Sequence, residues 1–347
     1  MQTPYFVFKP DILKENYNEF DRLCCKYLDK FVIAYSVKTN EFLGVIEALN
    51  DLGSNFEVAS LSEIKKVLDI SSKSFIFNGC CKSEEELRIA IENKFLINVD
   101  SLSEINKISV ILDDLEIDNF SIGLRVSLNG GKFGFGVDEL KGVVSYCGDR
   151  GLEVISLHFH GGTNQTLEKY EDGLKGMRKV IDRAVGLGVK LKYVDLGGGF
   201  PDKFQLKNLG VELEDYFKLI EKYTLEFDVS VILEPGRCLV ADAFDLITKV
   251  CVIKEKENKN YAILDVGINV LSKITLAGYK FKKVWSGQGN GKKDYVLVGP
   301  LLFNNDIVGR FNGVLEEGEI LRVENVGAYC YNLAWEISYD KPKVYIE

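Results

Sequence analysis

Only two of the 347 residues are histidine and only six are proline. Nowhere does the chain approach the roughly 18 consecutive apolar residues of a membrane-spanning helix. The histidine shortage restricts metal chemistry. His158 and His160 share one face of a strand, but a barrel metal site draws further imidazoles from later strands and none exists, so no metal is expected. There is no C-x-x-C among the eight cysteines, and Cys24–Cys25 and Cys80–Cys81 are adjacent pairs, which argues against zinc and for reduced, mostly buried thiols. There is no Lys/Arg-rich stretch, and 43 basic against 52 acidic residues leave a net charge of −9. Such a surface repels phosphate backbones, so neither nucleic acid nor a membrane is an expected partner. Low-complexity linkers and residue-level repeats are also missing. The opening MQTPYFVFKPD meets prolines before any long apolar centre of a secretory signal, and a cytoplasmic location is expected.

What the sequence does hold is an alternation. Short apolar or β-branched runs begin at Phe31, Phe56, Ser74, Phe95, Phe120, Glu153, Leu191 and Val229. Between them lie amphipathic stretches, among them Glu41–Leu52, Ser83–Asn93, Ser101–Leu112 and Leu167–Leu187. Ser83 has the character of an N-cap, with Glu84, Glu85 and Glu86 in the first turn where the helix dipole favours them. This pattern predicts an α/β fold, a (β/α)8 TIM barrel, although an open doubly wound sheet would show the same alternation. From about Asp245 the texture changes to β-formers between short turns, so a mainly β C-terminal domain is expected to follow. The predicted division is a barrel over 22–244 and a β domain from 245–347 joined by 1–21, whose PYFVFKP segment is strand-like. The Gly287–Lys293 stretch lacks the spacing and hydroxyl of a phosphate loop and reads as a solvent loop.

In a barrel, chemistry collects at the carboxyl ends of the strands. Here those ends carry Val37-Lys38-Thr39-Asn40, Asn78-Gly79, Asp100-Ser101, His158-Phe159-His160-Gly161-Gly162-Thr163, Asp195-Leu196-Gly197-Gly198-Gly199 and Glu234-Pro235-Gly236-Arg237. The triple glycine lets backbone N–H groups approach an anion, and Arg237 adds a forked cation, which together point to a phosphorylated ligand. Lys38 reads equally as a snorkelling side chain or as an amine that forms a Schiff base with a carbonyl cofactor or substrate. In the second case Glu234 is placed to protonate a pyridine nitrogen and His160 to lie against a ring.

These motifs resemble the pyridoxal-phosphate decarboxylases with an alanine-racemase-like barrel, typified by diaminopimelate and ornithine decarboxylases. Tyr35-Ser36-Val37-Lys38-Thr39-Asn40 resembles the cofactor-lysine motif, and Phe56-Glu57-Val58-Ala59-Ser60 the second strand, with Glu57 where aspartate is usual. Lys132-Phe133-Gly134, His158-Phe159-His160, Gly197–Pro201, Glu234–Arg237, Asp265–Asn269 and Gly327-Ala328-Tyr329 follow in register. The resemblance implies pyridoxal 5'-phosphate as cofactor. It makes Lys38, His160 and Glu234 catalytic, and it gives the phosphate to Thr163, Gly197, Gly198, Gly199, Gly236, Arg237 and Tyr329. It also implies a homodimer with shared sites, to which Asp306 and Tyr329 contribute across the interface.

One segment departs from the family pattern. Gly299-Pro300-Leu301-Leu302-Phe303-Asn304-Asn305-Asp306 puts Leu302 where the family has a proton-donating cysteine and Phe303 where it has an acidic substrate-binding residue. Lys273 falls where diaminopimelate decarboxylases carry a substrate-binding arginine. Lys273, Leu302, Phe303 and Asp306 are therefore the expected substrate-binding positions. The expected reaction is α-decarboxylation of an amino acid that is modified, conjugated, carrier-bound or carboxylate-bearing. A racemase on the same fold would place arginine rather than Glu234 at the pyridine nitrogen, and a non-catalytic regulator would have no use for Lys38.

Overall fold

Eight short strands run parallel: β1 (Phe31–Ser36), β2 (Asn55–Val58), β3 (Phe75–Phe77), β4 (Leu96–Val99), β5 (Phe120–Ser127), β6 (Leu152–His158), β7 (Tyr193–Asp195) and β8 (Ser230–Leu233). Each pairs with the next, and Val231–Leu233 lies beside Phe31–Ile33, so the sheet closes on itself. A closed ring has no free edge and excludes the open-sheet alternative. The computed structural model from which this is read describes residues 2–71, 73, 75–128, 130–272, 275–285 and 293–347. Lys273 and most of the Gly287–Lys293 stretch lie outside the described residues.

Local chemistry sets the helices between the strands. Ser83 accepts from the Glu86 N–H while the Glu86 carboxylate returns to the Ser83 N–H, a capping box that starts helix Glu84–Glu92. Ser101 and Thr166 cap Leu102–Asp114 and Leu167–Gly186 in the simpler one-sided way. Each helix turns its apolar stripe inward. Ile105, Ile108 and Leu112 are buried from one helix, and Leu174, Met177 and Ile181 from the other.

The N-terminal segment divides differently from the expected boundary at residue 22. Tyr5–Phe8 pairs antiparallel with the long strand Phe244–Lys256 and parallel with Lys343–Ile346, so it belongs to the β sheet. Residues Pro10–Tyr27 form one helix, with Pro10 at its start where a missing N–H costs nothing. Its Phe20 ring meets Phe200 at 5.0 Å and Phe217 at 5.1 Å, which fixes the helix to the barrel. A boundary at 21/22 would cut that helix. The second sheet is mixed, in the order Lys280–Lys283, Ile320–Glu324, Phe244–Lys256, Lys259–Leu264, Lys293–Val298, Ile307–Gly313.

Four hydrogen bonds attach the second sheet to the turn after β1. Asn40 Nδ2 donates to the Gly327 carbonyl (2.8 Å), the Tyr329 N–H to the Thr39 carbonyl (2.7 Å), Asn332 Nδ2 to the Lys38 carbonyl (3.1 Å), and the Glu41 N–H to Asn332 Oδ1 (2.9 Å). Gly327 permits the approach, since a Cβ there would fall 1.7 Å from the Val240 carbonyl oxygen. All eight cysteines are free, four buried and four exposed, so they are less buried than the composition led us to expect. Among the described residues no helix is long and apolar enough to cross a membrane.

Candidate active site at the carboxyl rim

The turn that ends β1, Val37–Thr39, projects Lys38 over the barrel mouth. Its ammonium is hydrogen-bonded to the carboxylate of Glu57 on β2. Glu57 is fully buried and also accepts from the Ser36 hydroxyl (2.6 Å) and Asn78 Nδ2 (3.1 Å). Burial pulls the Lys38 amine down, but the charges of Glu57 and Glu234 outweigh it and hold the amine above the usual lysine value. Burial likewise opposes ionisation of Glu57, yet the Lys38 charge and three hydrogen bonds hold its carboxyl below the usual range. The pair is therefore an ammonium–carboxylate pair at neutral pH.

A buried carboxamide relay continues beneath it. Asn78 Nδ2 also donates to Glu234 (2.6 Å), and Asn98 Nδ2 donates both to Asn78 Oδ1 and to Asp195 (2.9 Å each). Glu57, Asp195 and Glu234 thus share two amides, with Lys38 the cation that faces them. Burial first, and then the neighbouring carboxylates, push Glu234 well above the carboxylate range, while burial carries Asp195 up to about 7. Glu234 and Asp195 therefore hold a proton more readily than an ordinary carboxylate. His158, Asp195 and Glu234 also bring one donor atom each within 4.8 Å of one another, a spacing that would suit a metal ion, although Asn78, Asn98 and the Gly197 N–H already engage the two carboxylates.

On the opposite side of the mouth lies an anion cradle. Gly199 has φ of 96°, and a Cβ there would meet the Gly162 carbonyl oxygen at 2.5 Å. Only glycine fits this position. Arg237 is buried; its Nε bonds Thr163 Oγ1 (3.3 Å), its Nη2 bonds the Thr275 carbonyl, and its Nη1 has no hydrogen-bond partner. Nη1 lies 3.6 Å from the buried Asp202 carboxylate, an ion pair without a hydrogen bond, so the guanidinium keeps a donor for a further anion. The Tyr329 ring lies 5.4 Å from the guanidinium, and Gly236 begins the short helix Arg237–Val240. Between cradle and amine stands His160, whose Nδ1 accepts from the Gly198 N–H (3.3 Å). Burial and the Lys38 charge lower this imidazole to about 4, so it is neutral at pH 7, flat, and free of competing charge.

Lys38, His160, Thr163, Gly199, Glu234, Gly236, Arg237 and Tyr329 therefore line one cavity, with Gly197 and Gly198 against His160. Of the expected substrate positions, Lys273 lies outside the described residues, and Leu302, Phe303 and Asp306 do not line this cavity. Leu302 is fully exposed, and Phe303 lies 6.3 Å from the Trp335 ring on the outside of the second sheet. Asp306 is buried and accepts from the Ile268 (2.7 Å) and Leu301 (2.8 Å) N–H groups, one at each oxygen, so it ties its own loop to the turn at Ile268. Sequence reasoning missed Asn98 and Arg125. Their signal was faint: Asn98 is the one polar residue of β4, and Arg125 stands between Leu124 and Val126 in β5. Arg125 on β5 lies 3.7 Å from Asp100 and over the Phe133 ring at 4.4 Å, at the same rim.

The sequence profile described as "Pyridoxal-dependent decarboxylase, pyridoxal binding domain" matches residues 14–241. Diaminopimelate decarboxylase of Vibrio cholerae is 29% identical, over 96% of this chain and 84% of the relative. The crystal structure of diaminopimelate decarboxylase from Helicobacter pylori complexed with L-lysine superposes with a TM-score of 0.90 at 26% identity, covering 100% of this chain and 91% of the other. Lysine/ornithine decarboxylase from Vibrio vulnificus complexed with cadaverine has a TM-score of 0.88 at 23% identity, covering 99% and 94%, and shares the fold.

Proposed function

The chain belongs to the pyridoxal-dependent decarboxylases, an amino-acid decarboxylase that works with pyridoxal 5'-phosphate, and we propose which of its side chains hold that cofactor and which substrates they admit. The donor set fits the group on three counts. The spare Arg237 donor beside Thr163 and the glycine backbone suits a phosphate. Neutral His160 offers a flat face to a ring. Lys38 is an amine for the aldehyde. In this reading Arg237, Thr163, Gly197–Gly199, Gly236 and Tyr329 hold the phosphate, and His160 sets the plane of the ring. Glu234, whose carboxyl burial pushes up, would face the pyridine nitrogen and supply its proton. The cofactor supplies an electron sink for the pair left behind when the substrate carboxylate departs as carbon dioxide. Lys38 would tether it between turnovers and give way to the substrate amine.

The substrate is an α-amino acid whose far end is conjugated, carrier-bound or carboxylate-bearing rather than a bare ammonium. One observation carries this: the 299–306 loop presents Leu302 and Phe303 and uses its only acid, Asp306, internally. A distal ammonium would meet no counter-charge there. A screen of N-acylated and carboxylate-bearing amino acids, read by carbon dioxide release and by mass spectrometry of the amine, is expected to find turnover. Free lysine and ornithine, whose far end is a bare ammonium, should be about 100-fold or more poorer in kcat/KM, the discrimination expected when a charged group is left without its partner. Turnover of those two at rates ordinary for an enzyme would overturn the substrate reading.

The same loop gives the expected assembly. Exposed Leu302 and Phe303, with Trp335 and Ile337, form an apolar surface, and we assign it to a second copy of the chain whose site the loop caps. Light scattering should find twice the 39.0 kDa chain mass, and Leu302→Asp should return the monomer. A wild-type monomer at micromolar concentration would count against a shared site.

A further inference from the structure

We propose that Glu57 positions Lys38 as the acid that delivers a proton to the substrate α-carbon as carbon dioxide leaves. The inference deepens the decarboxylase reading and rests on it. Among the described residues lining the cavity there is no thiol; Cys80 and Cys81 are exposed beyond β3, and the loop that ends in Asp306 carries Leu302 instead. The other protons of the lining are poorly suited to transfer. Arg237 does not release one, and the raised Glu234 carboxyl is assigned to the pyridine nitrogen. His160 is neutral near pH 7, and the hydroxyls of Ser36, Thr39 and Thr163 are too weak as acids. That leaves the Tyr329 phenol and the Lys38 ammonium. The Tyr329 ring is engaged by the Arg237 guanidinium, whereas the Lys38 ammonium is held by the fully buried Glu57 carboxylate.

The Glu57 carboxylate is built for this partner. The Ser36 hydroxyl and the Asn78 amide fix it from two sides, no part of it reaches solvent, and its remaining capacity goes to Lys38. The Lys38 nitrogen is faced by Glu57 from β2, by Glu234 after β8 and by Tyr329 from the C-terminal segment. Around Glu57 stand Lys38, Ser36 and Asn78, with Glu63, Asp195, Glu234 and His160 more distant. A substrate ammonium that replaces Lys38 on the cofactor passes it two protons, so Lys38 is left as –NH3+ beside the Glu57 carboxylate. The bond from the α-carbon to the carboxylate breaks, and its electron pair stays behind. One Lys38 proton then forms the new C–H bond, and the N–H pair remains on nitrogen. The neutral amine so produced is the form that displaces the product, and solvent restores the one proton consumed per turnover.

The test uses full-length protein loaded with pyridoxal 5'-phosphate, comparing wild type with Glu57→Gln and Glu57→Asp. The first readout needs no substrate: the pH midpoint of the visible absorption band, which reports protonation of the Lys38 nitrogen. It should fall by about 1–3 pH units in Glu57→Gln, the usual effect of removing an adjacent opposite charge, and by less in Glu57→Asp. An unmoved midpoint overturns the proposal. The second readout is the ratio of amine to carbon dioxide with the substrate found by the screen. Wild type should give one amine per carbon dioxide, and Glu57→Gln should divert part of the product to aldehyde, with loss of the visible band, because the proton arrives elsewhere. A Glu57→Gln ratio that stays at one with an unchanged rate overturns the proposal, as does diversion caused by Cys80→Ser/Cys81→Ser or Tyr329→Phe but not by Glu57→Gln. If Glu57→Gln does not take up the cofactor, Glu57→Asp carries both measurements. Wild-type protein that takes up no pyridoxal 5'-phosphate would instead sink the reading beneath this one.

Discussion

Lys38→Ala protein incubated with pyridoxal 5'-phosphate is expected to stay colourless after desalting, to carry no borohydride-fixed label, and to decarboxylate at least roughly 10⁴-fold more slowly, the upper end of what one positioned acid–base group supplies. In wild type the label should map to the peptide containing Lys38. A stability effect accompanies the chemical one. Glu57 stays buried with the Ser36 and Asn78 donors but loses its counter-charge. Breaking a wholly buried pair costs about 3–5 kcal/mol; here the Lys38 side chain is 40% exposed, so about 1–3 kcal/mol is expected. Without the ammonium, burial raises the Glu57 carboxyl, and the folded variant binds a proton more readily than the unfolded chain. Its stability is then greatest at low pH and falls as pH rises through the raised value. Urea melts of cofactor-free protein at pH 5 and pH 8 should show the variant closer to wild type at pH 5. Lys38→Arg separates the two effects, because it restores the charge and with it the stability, but not the colour. A coloured, reducible Lys38→Ala protein would place the tether elsewhere.

The barrel was readable in the chain because its strands are buried on both faces. Their near-continuous runs, FVIAYS or FSIGLRV, stand out from helices of 3.6 period, several of which start with a capping side chain, as Ser60, Ser83, Ser101 and Thr166 do. The residues at the strand ends were legible for the same reason: Lys38, His160 and Glu234 break the run just where a parallel barrel exposes its rim. The relay beneath them was not legible. Asn98 lies within β4, Asn78 just beyond β3, and their partners Glu57, Asp195 and Glu234 come from other strands at separations of 20 to 156 residues, so no local spacing announces them. Asp306 misled for the opposite reason. Its place in a motif pointed toward a substrate, but Gly299 and Gly267 pack against its carboxylate, which turns back on its own loop. The division at residue 22 failed because a helix that begins at Pro10 follows a strand of the other domain after only one intervening residue, with no linker composition to mark the change.

Glu234→Gln should separate holding the cofactor from using it. The amide keeps the shape of the side chain and an oxygen for Asn78 Nδ2, while Arg237, Thr163 and the glycine backbone retain the phosphate, so cofactor affinity should change little. An amide cannot pass a proton to a pyridine nitrogen, and kcat should fall by about 10²–10⁴-fold. The pH dependence of the cofactor-free protein reports the same proton. Burial and mutual repulsion raise Glu234 well above the carboxylate range, and burial raises Asp195 to about 7, so between about pH 4, where an unfolded carboxylate titrates, and pH 7 the fold binds more protons than the unfolded chain. Their contribution is fully present below that window and is lost as pH rises through it. Glu57 acts in the opposite sense, since its lowered carboxyl stabilises above the usual value and that contribution is lost in acid. Wild-type protein without cofactor should therefore melt highest in mildly acid solution and lower at pH 8. Glu234→Gln deletes one of the raised groups, so the drop from pH 5 to pH 8 should shrink. A variant with an undiminished kcat would show that the ring nitrogen takes its proton from another source. A steeper fall in melting temperature with pH would show that Glu234 is ionised in the folded protein, with Asp195 holding the proton instead.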